Sequence, residues 1–208
     1  LPIAREVAEQ ALALDPQLSE AYVMLGAVAT FLDWDSQKSR GYFKKALELN
    51  PDDINTRIWY ELELSLLEQQ FDEALKLMNA ALKIDPLNLL ILIRTGYLYF
   101  YKYEYDTAIE YFKKIVNIEP DMLMGHHGLL DVYGLKGEWK LAFAEGEKVR
   151  SLGGEGPAYL AVLSLNYARG GKRKEAEAVL SSLLKRYETE AISPFWIGVV
   201  FMGLEQFE

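Results

Sequence analysis

Apolar residues recur three and four positions apart in FDEALKLMNAALKIDP (71–86) and YDTAIEYFKKIVNIEP (105–120), with charged residues between them. That spacing lays one apolar stripe along a helix, so both stretches are predicted to be amphipathic helices. SQKSRGYFKKALELNP (36–51) carries a less regular version of the stripe. All three end in an acidic residue or Asn followed by Pro, as does ALALDP (11–16). Proline lacks the N–H a continuing helix needs and biases the residue before it away from helical angles, so each proline marks a helix end. Pro16, Pro51, Pro86, Pro120, Pro157 and Pro194 follow one another at intervals of 35, 35, 34, 37 and 37 residues. Evenly spaced breakers mean a repeat. A second apolar-periodic stretch follows each of them, SEAYVMLGAVATF after Pro16 and LLILIRTGYLYFY after Pro86, so each period predicts two antiparallel helices.

One stretch conflicts with this reading. YLYFYKYEYD (97–106) places Tyr on every second position, and strict alternation taken alone predicts a half-buried strand. The repeat register instead puts Tyr97 to Tyr101 on the last turns of a first helix and Tyr103 to Tyr105 in the turn to the second. On a helix Tyr97 and Tyr101 then share a face with Phe100 beside them, while Tyr99 and Tyr105 take core positions.

The paired helices, the period and the closing prolines resemble the tetratricopeptide repeat family. Tyr22, Leu25 and Gly26 fit the first helix of one unit; Gly96, Tyr99, Tyr105, Ala108, Phe112 and Pro120 fit another, and Gly137, Trp139 and Ala142 a third. The resemblance covers the chain and implies an all-α fold, an α-solenoid in which hairpins form a right-handed superhelix. The expected organisation is a single array: a partial unit at 1–16, units at about 17–51, 52–86, 87–120, 121–155 and 156–190, and a partial unit at 191–208. Ala4, Ala8 and Ala11 suit a second helix whose first is absent, and Ser193-Pro194 suits the start of a first helix, so the native polypeptide is expected to continue in both directions.

There are departures from the family pattern. Ser39 stands in a slot usually given to Ala, and SLGGEGP (151–157) replaces the usual closing and reads as a helix C-cap and connector. Glu61 stands about where a small residue is expected, and a charge at a tight helix contact needs a partner, for which Arg57 one turn earlier is the nearest candidate.

The resemblance also implies a concave groove lined by the first helices. Its register marks Val23, Ala27 and Phe31; Trp59, Glu63 and Leu66; Ile93, Tyr97, Phe100 and Tyr101; and His127 with Asp131. For the Tyr97, Phe100 and Tyr101 rings two readings stand side by side, packing between helices or a partner-binding patch. A groove of this chemistry suits a peptide with apolar anchors and some positive charge, and not an acidic tail. Chaperone-binding members hold a terminal carboxylate with Lys and Asn; the matching places here are Val23, Ala27, Trp59, Glu63, Ile93 and Tyr97, so that clamp is missing. LDWD (32–35) and SPFWIG (193–198) are similar to repeat arrays behind bacterial signalling domains, which implies a regulatory or assembly role.

Charge and composition narrow the partner. Net charge is −9, with 31 acidic against 22 basic side chains, which opposes a phosphate backbone and argues against both nucleic acid and the similar helical-repeat RNA binders. There is no Cys, which removes disulfides, thiolate metal sites and cysteine nucleophiles, and is compatible with a reducing, cytoplasmic compartment. The apolar runs FWIGVVFMGL and LLILI fall far short of the roughly 20 residues that cross a bilayer, so no membrane partner is expected. His126 and His127 are adjacent and point about 100° apart on a helix, so they cannot chelate one ion together. His127 and Asp131 stand one turn apart but lack a third ligand. No serine elbow or phosphate loop is present, and Asp33, Asp35, Glu61 and Glu63 are scattered. The expectation is a non-enzymatic scaffold with no cofactor and no metal that binds a protein or peptide in its groove, the alternative being a homodimer formed through the end helices.

Overall fold

The computed structural model describes residues 2–205. Among these, twelve α-helices and no strands make up the fold, an all-α solenoid of helical hairpins as the repeat predicts. The chain forms two compact units that divide between Tyr103 and Glu104.

The first unit contains α1 (Pro2–Leu14), α2 (Ser19–Val28), α3 (Ser36–Leu49), α4 (Ile54–Leu67), α5 (Phe71–Ile84) and α6 (Leu89–Tyr101). The second contains α7 (Tyr105–Ile118), α8 (Leu123–Leu135), α9 (Trp139–Ser151), α10 (Pro157–Arg169), α11 (Arg173–Tyr187) and α12 (Pro194–Glu205). The YLYFYKYEYD alternation is therefore not a strand. It is split by a helix end at Tyr101 and a new helix start at Tyr105.

Each connection has a local cause. Asp35, Asp53 and Asn88 precede α3, α4 and α6, and their side chains accept hydrogen bonds from backbone N–H groups of the first helical turn. The turn inside each hairpin runs through a left-handed residue: Trp34, Gln69 and Tyr103 in the first unit, Gly137 and Gly171 in the second. Gly adopts this conformation freely, whereas the other three must be held in it. At SLGGEGP, Gly153 is left-handed and the Gly154 N–H donates to the Val149 carbonyl at 2.9 Å, the helix closure the sequence suggests.

Packing follows the apolar stripes. In the first unit Phe43, Leu64, Met78, Ile91 and Leu98 are buried in one cluster, with Tyr60 stacked on Phe43 at 5.7 Å. A smaller cluster of Ala8, Ala21 and Leu25 joins α1 to α2. In the second unit Phe112, Ile115, Leu129, Leu130, Leu163 and Leu183 are fully buried. Close approach depends on missing side chains: a Cβ on Gly26 would lie 2.6 Å from the Phe43 ring, and one on Gly128 would lie 2.4 Å from the Phe112 ring. Ser39 is buried with Thr30, their hydroxyls 2.6 Å apart and 3.1 and 3.0 Å from the Gly26 carbonyl, so one hydroxyl donates to the carbonyl and the other to its neighbour where Ala would pack.

Candidate partner-binding face

α2 and α4 are the first helices of consecutive hairpins and lie side by side. The last turn of α2 widens into a π-helical turn over Ala29–Asp33, which carries Phe31, and Asp35 N–H closes it on the Ala29 carbonyl at 3.0 Å. α4 is capped by Asp53, whose carboxylate accepts from the Asn55 and Thr56 N–H groups at 3.1 and 3.0 Å, and carries Trp59 in its second turn. Phe31 and Trp59 meet edge to face with centroids 5.9 Å apart, and each stays 38% exposed. They form one wall of a cavity of about 320 Å³. Val23, Met24 and Ala27 complete its apolar lining, and Glu20, Asn50, Asp53 and Asn55 supply the polar groups. Glu20 and Asp53 are its only charged residues, and neither forms an ion pair among the described residues. The repeat register names Val23, Ala27, Phe31 and Trp59 but misses Met24 and the polar rim, which lie beside those positions and in the α3–α4 turn.

Further along the first unit, Leu66 is 60% exposed at the end of α4. Ile93 is half-buried on α6, as are Tyr97 and Phe100, while Tyr101 is exposed. The three rings form one cluster, with Tyr97 at 6.1 Å from Phe100 and 6.3 Å from Tyr101. Tyr101 also stacks on Phe71 of α5 at 5.9 Å. Tyr101 thus packs α6 against α5, while the three rings keep part of their area outside.

Two carboxylates on α4 turn inward. Glu63, expected in the groove, is fully buried and pairs with Arg40 at 3.4 Å, so it is not part of the accessible face. Arg40 holds Glu68 as well. Burial raises the Glu63 pKa above the ordinary glutamate value even with Arg40 beside it. Glu61 is buried too, and its partner is Arg94 of α6. Arg57, the neighbour suggested by sequence, instead donates to the backbone carbonyls of Pro51 and Asp53. Its side chain is drawn to the helix start, whereas Arg94 comes from the next hairpin, a relation no local spacing contains.

In the second unit His127 and Asp131 do form a pair, Nδ1 to carboxylate oxygen 3.3 Å. Both side chains are mostly buried, and the Tyr159 ring stands edge-on against the imidazole at 4.8 Å. Burial pushes His127 down to about 4, so at neutral pH the ring is uncharged, with its Nδ1 facing the Asp131 carboxylate. His126 bridges Glu145 at 2.6 Å and the Pro120 carbonyl at 2.9 Å, a packing role. Among the described residues no three His, Asp or Glu side chains converge as metal ligands.

A second cavity, of about 500 Å³, lies between α9, α10 and α11. Within its lining Arg186 binds Glu190 at 2.8 Å, and the Tyr167 hydroxyl donates to Glu147. Burial, reinforced by Glu147, pushes that hydroxyl up to about 12. No helix among the described residues is long and apolar enough to cross a membrane.

Known proteins share this architecture. Residues 68–122 match the family model described as tetratricopeptide repeat. The tetratricopeptide repeat-containing protein trd-1 of Caenorhabditis elegans is 28% identical over 131 residues, which is 61% of this chain and 16% of trd-1. The chain therefore spans only a small part of that relative's length. PilW, a type IV pilus biogenesis factor, superposes with a TM-score of 0.80 at 18% identity, covering 93% of this chain and 87% of its own. TTC0263, a thermophilic repeat protein of Thermus thermophilus, gives 0.72 at 19% identity over 90% of this chain and 99% of its own. YrrB, described as having an unusual peptide-binding site, gives 0.65 at 12% identity over 97% and 99%. At such identities the likeness establishes the fold alone. Over residues 68–122 the chain matches the tetratricopeptide repeat model, and the same helical hairpin recurs through the described residues, so in that segment and in fold it is similar to tetratricopeptide repeat proteins.

Proposed function

We propose that this chain is a protein-interaction scaffold that holds a peptide or an extended segment of a partner protein on the first-helix face of its first unit. Repeats of this family typically mediate protein–protein contacts, and the site, rather than the fold, selects what is held. One observation carries the reading: Phe31 and Trp59 remain partly exposed at the wall of a 320 Å³ apolar cavity instead of being covered by their own chain. Partly exposed aromatic side chains beside a preformed pocket are the usual anchors of a binding surface. Leu66 and the Tyr97, Phe100 and Tyr101 cluster extend the apolar face on the same unit. Glu63 acts from below by fixing Arg40. His127 and Asp131 serve the interior of the second unit.

A photo-crosslinking amino acid at position 59 tests this in the protein's own cell. Covalent capture of another polypeptide from position 59, absent when the same group replaces the exposed Lys76, is expected. Crosslinks to copies of this chain alone would overturn it.

A second reading is self-association, in which a second copy covers the apolar residues of α1 and α12: Ile3, Val7 and Leu14, and Phe195, Phe201 and Met202. Substituting Ile3 and Val7 by Glu would then lower the oligomer mass in sedimentation without altering binding at Trp59.

A further inference from the structure

We infer that the Phe31–Trp59 pocket takes one large apolar or aromatic side chain from a basic peptide segment, with a Lys or Arg within two residues of it set against Glu20 and Asp53. This rests on the scaffold reading above and specifies its ligand.

Size comes first. Sites for small-molecule ligands run from roughly 300 to 1,000 Å³, and this cavity, at about 320 Å³, lies at the bottom of that range. It fits a single bulky side chain with its flanking backbone better than a cofactor or a large metabolite. The lining fits the same occupant: Met24 is flexible and moulds to different shapes, while Phe31 and Trp59 offer ring edges and faces.

Charge selects the flanks. Every charged residue lining the cavity is acidic, and Glu20 and Asp53 have no ion-pair partner among the described residues. Glu20 is exposed, and among the described residues its carboxylate accepts one side-chain hydrogen bond, from the Ser19 hydroxyl at 3.1 Å. Asp53 accepts from the Asn55 and Thr56 N–H groups at the start of α4, and no cationic side chain is paired with its carboxylate among the described residues. The larger cavity of the second unit differs in carrying cations of its own: Arg150 and Arg186 pair with Glu147 and Glu190, two of the four carboxylates in its lining. A cation beside the Phe31–Trp59 pocket gains both from the carboxylates and from the Trp59 ring face, and an acidic flank is repelled. Asn50 and Asn55 add amide donors and acceptors that an extended backbone can use.

The test is selection of a random twelve-residue peptide phage library on the intact chain, repeated on Phe31→Ala/Trp59→Ala, on Tyr97→Ala/Tyr101→Ala and on Glu20→Lys. Circular dichroism confirms that each variant is folded. Expected enrichment is for peptides with a Phe, Trp, Leu or Met next to Lys or Arg, lost on the Phe31/Trp59 variant and on Glu20→Lys. The best selected peptide, labelled for anisotropy, should bind more than about tenfold more weakly to Trp59→Ala. It should bind about two- to fivefold more weakly to Glu20→Gln, and more weakly as salt rises. Acidic or neutral winners, or winners insensitive to Phe31 and Trp59 but lost on the Tyr97/Tyr101 variant, would overturn this inference and leave the scaffold reading intact. No enrichment on any form would overturn both.

Discussion

The two units carry the same kind of first helix and end differently at the same register. In the first, Phe31 and Trp59 meet edge to face and stay partly open beside a pocket. In the second, His127 is bonded to Asp131 and covered by Tyr159 from α10. The hairpin turns differ as well: Trp34, Gln69 and Tyr103 are forced into left-handed geometry in the first unit, where Gly137 and Gly171 serve in the second. The common core fixes where a position points, and the residue on the neighbouring first helix decides whether it becomes surface or interior. A face can thus stay open in one unit and be packed over in the other without changing the scaffold.

The largest expected effect tests what the units share. Phe43→Ala and Phe112→Ala each remove a fully buried ring that fills the space beside a glycine. Each should cost about 3–5 kcal/mol, read as a fall in the chemical denaturation midpoint. A loss well below that at either site would mean that its glycine–aromatic contact is not the common core element.

Acid separates the units next. His127 holds its folded-state pKa near 4, against an unfolded value of about 6.5. The unfolded chain binds the proton first, so stability is full above about pH 6.5 and falls as pH drops toward 4. The loss should be roughly 2–4 kcal/mol, seen as a midpoint that declines across this window and flattens in His127→Gln. Glu63 has the opposite sign: its raised pKa makes stability fall as pH climbs through the folded value, above the ordinary glutamate range. Glu63→Gln should remove that second slope while leaving the first.

Trp59→Ala comes third. It should cost about 2 kcal/mol of partner affinity and little stability, whereas His127→Ala should cost stability and no affinity, measured by calorimetry and thermal melts on the same samples. The reverse pattern would exchange the roles of the two faces.

The smallest effect concerns the turns. Tyr103→Gly relieves a left-handed non-glycine residue whose side chain is 78% exposed, and should stabilise by up to about 1 kcal/mol. Gly137→Ala should destabilise by a similar amount, about 1 kcal/mol. Equal and neutral outcomes would show that the turns of the two units are equivalent.

Much of this architecture can be read directly from the chain, because its causes are local. The prolines, the apolar stripes and the capping Asp and Asn residues act within one helical turn, and they place the helices and override the Tyr alternation at 97–106. The same register brings Phe31 and Trp59 onto one face. It fails at Glu61 and Glu63, whose partners Arg94 and Arg40 come from other helices, and at Met24 and the Glu20–Asp53 rim, which only the approach of α2 to α4 assembles. The π-helical turn that aims Phe31 has no signature in LDWD either.

The sequence by itself thus determined the repeat, its helical pairs and the acidic, cysteine-free character of the chain, since periodicity and charge need no partner to be expressed. Tertiary structure alone decided which inward-facing positions stay open. Burial depends on what a neighbouring helix brings within contact distance, and that neighbour is a hairpin away along the chain.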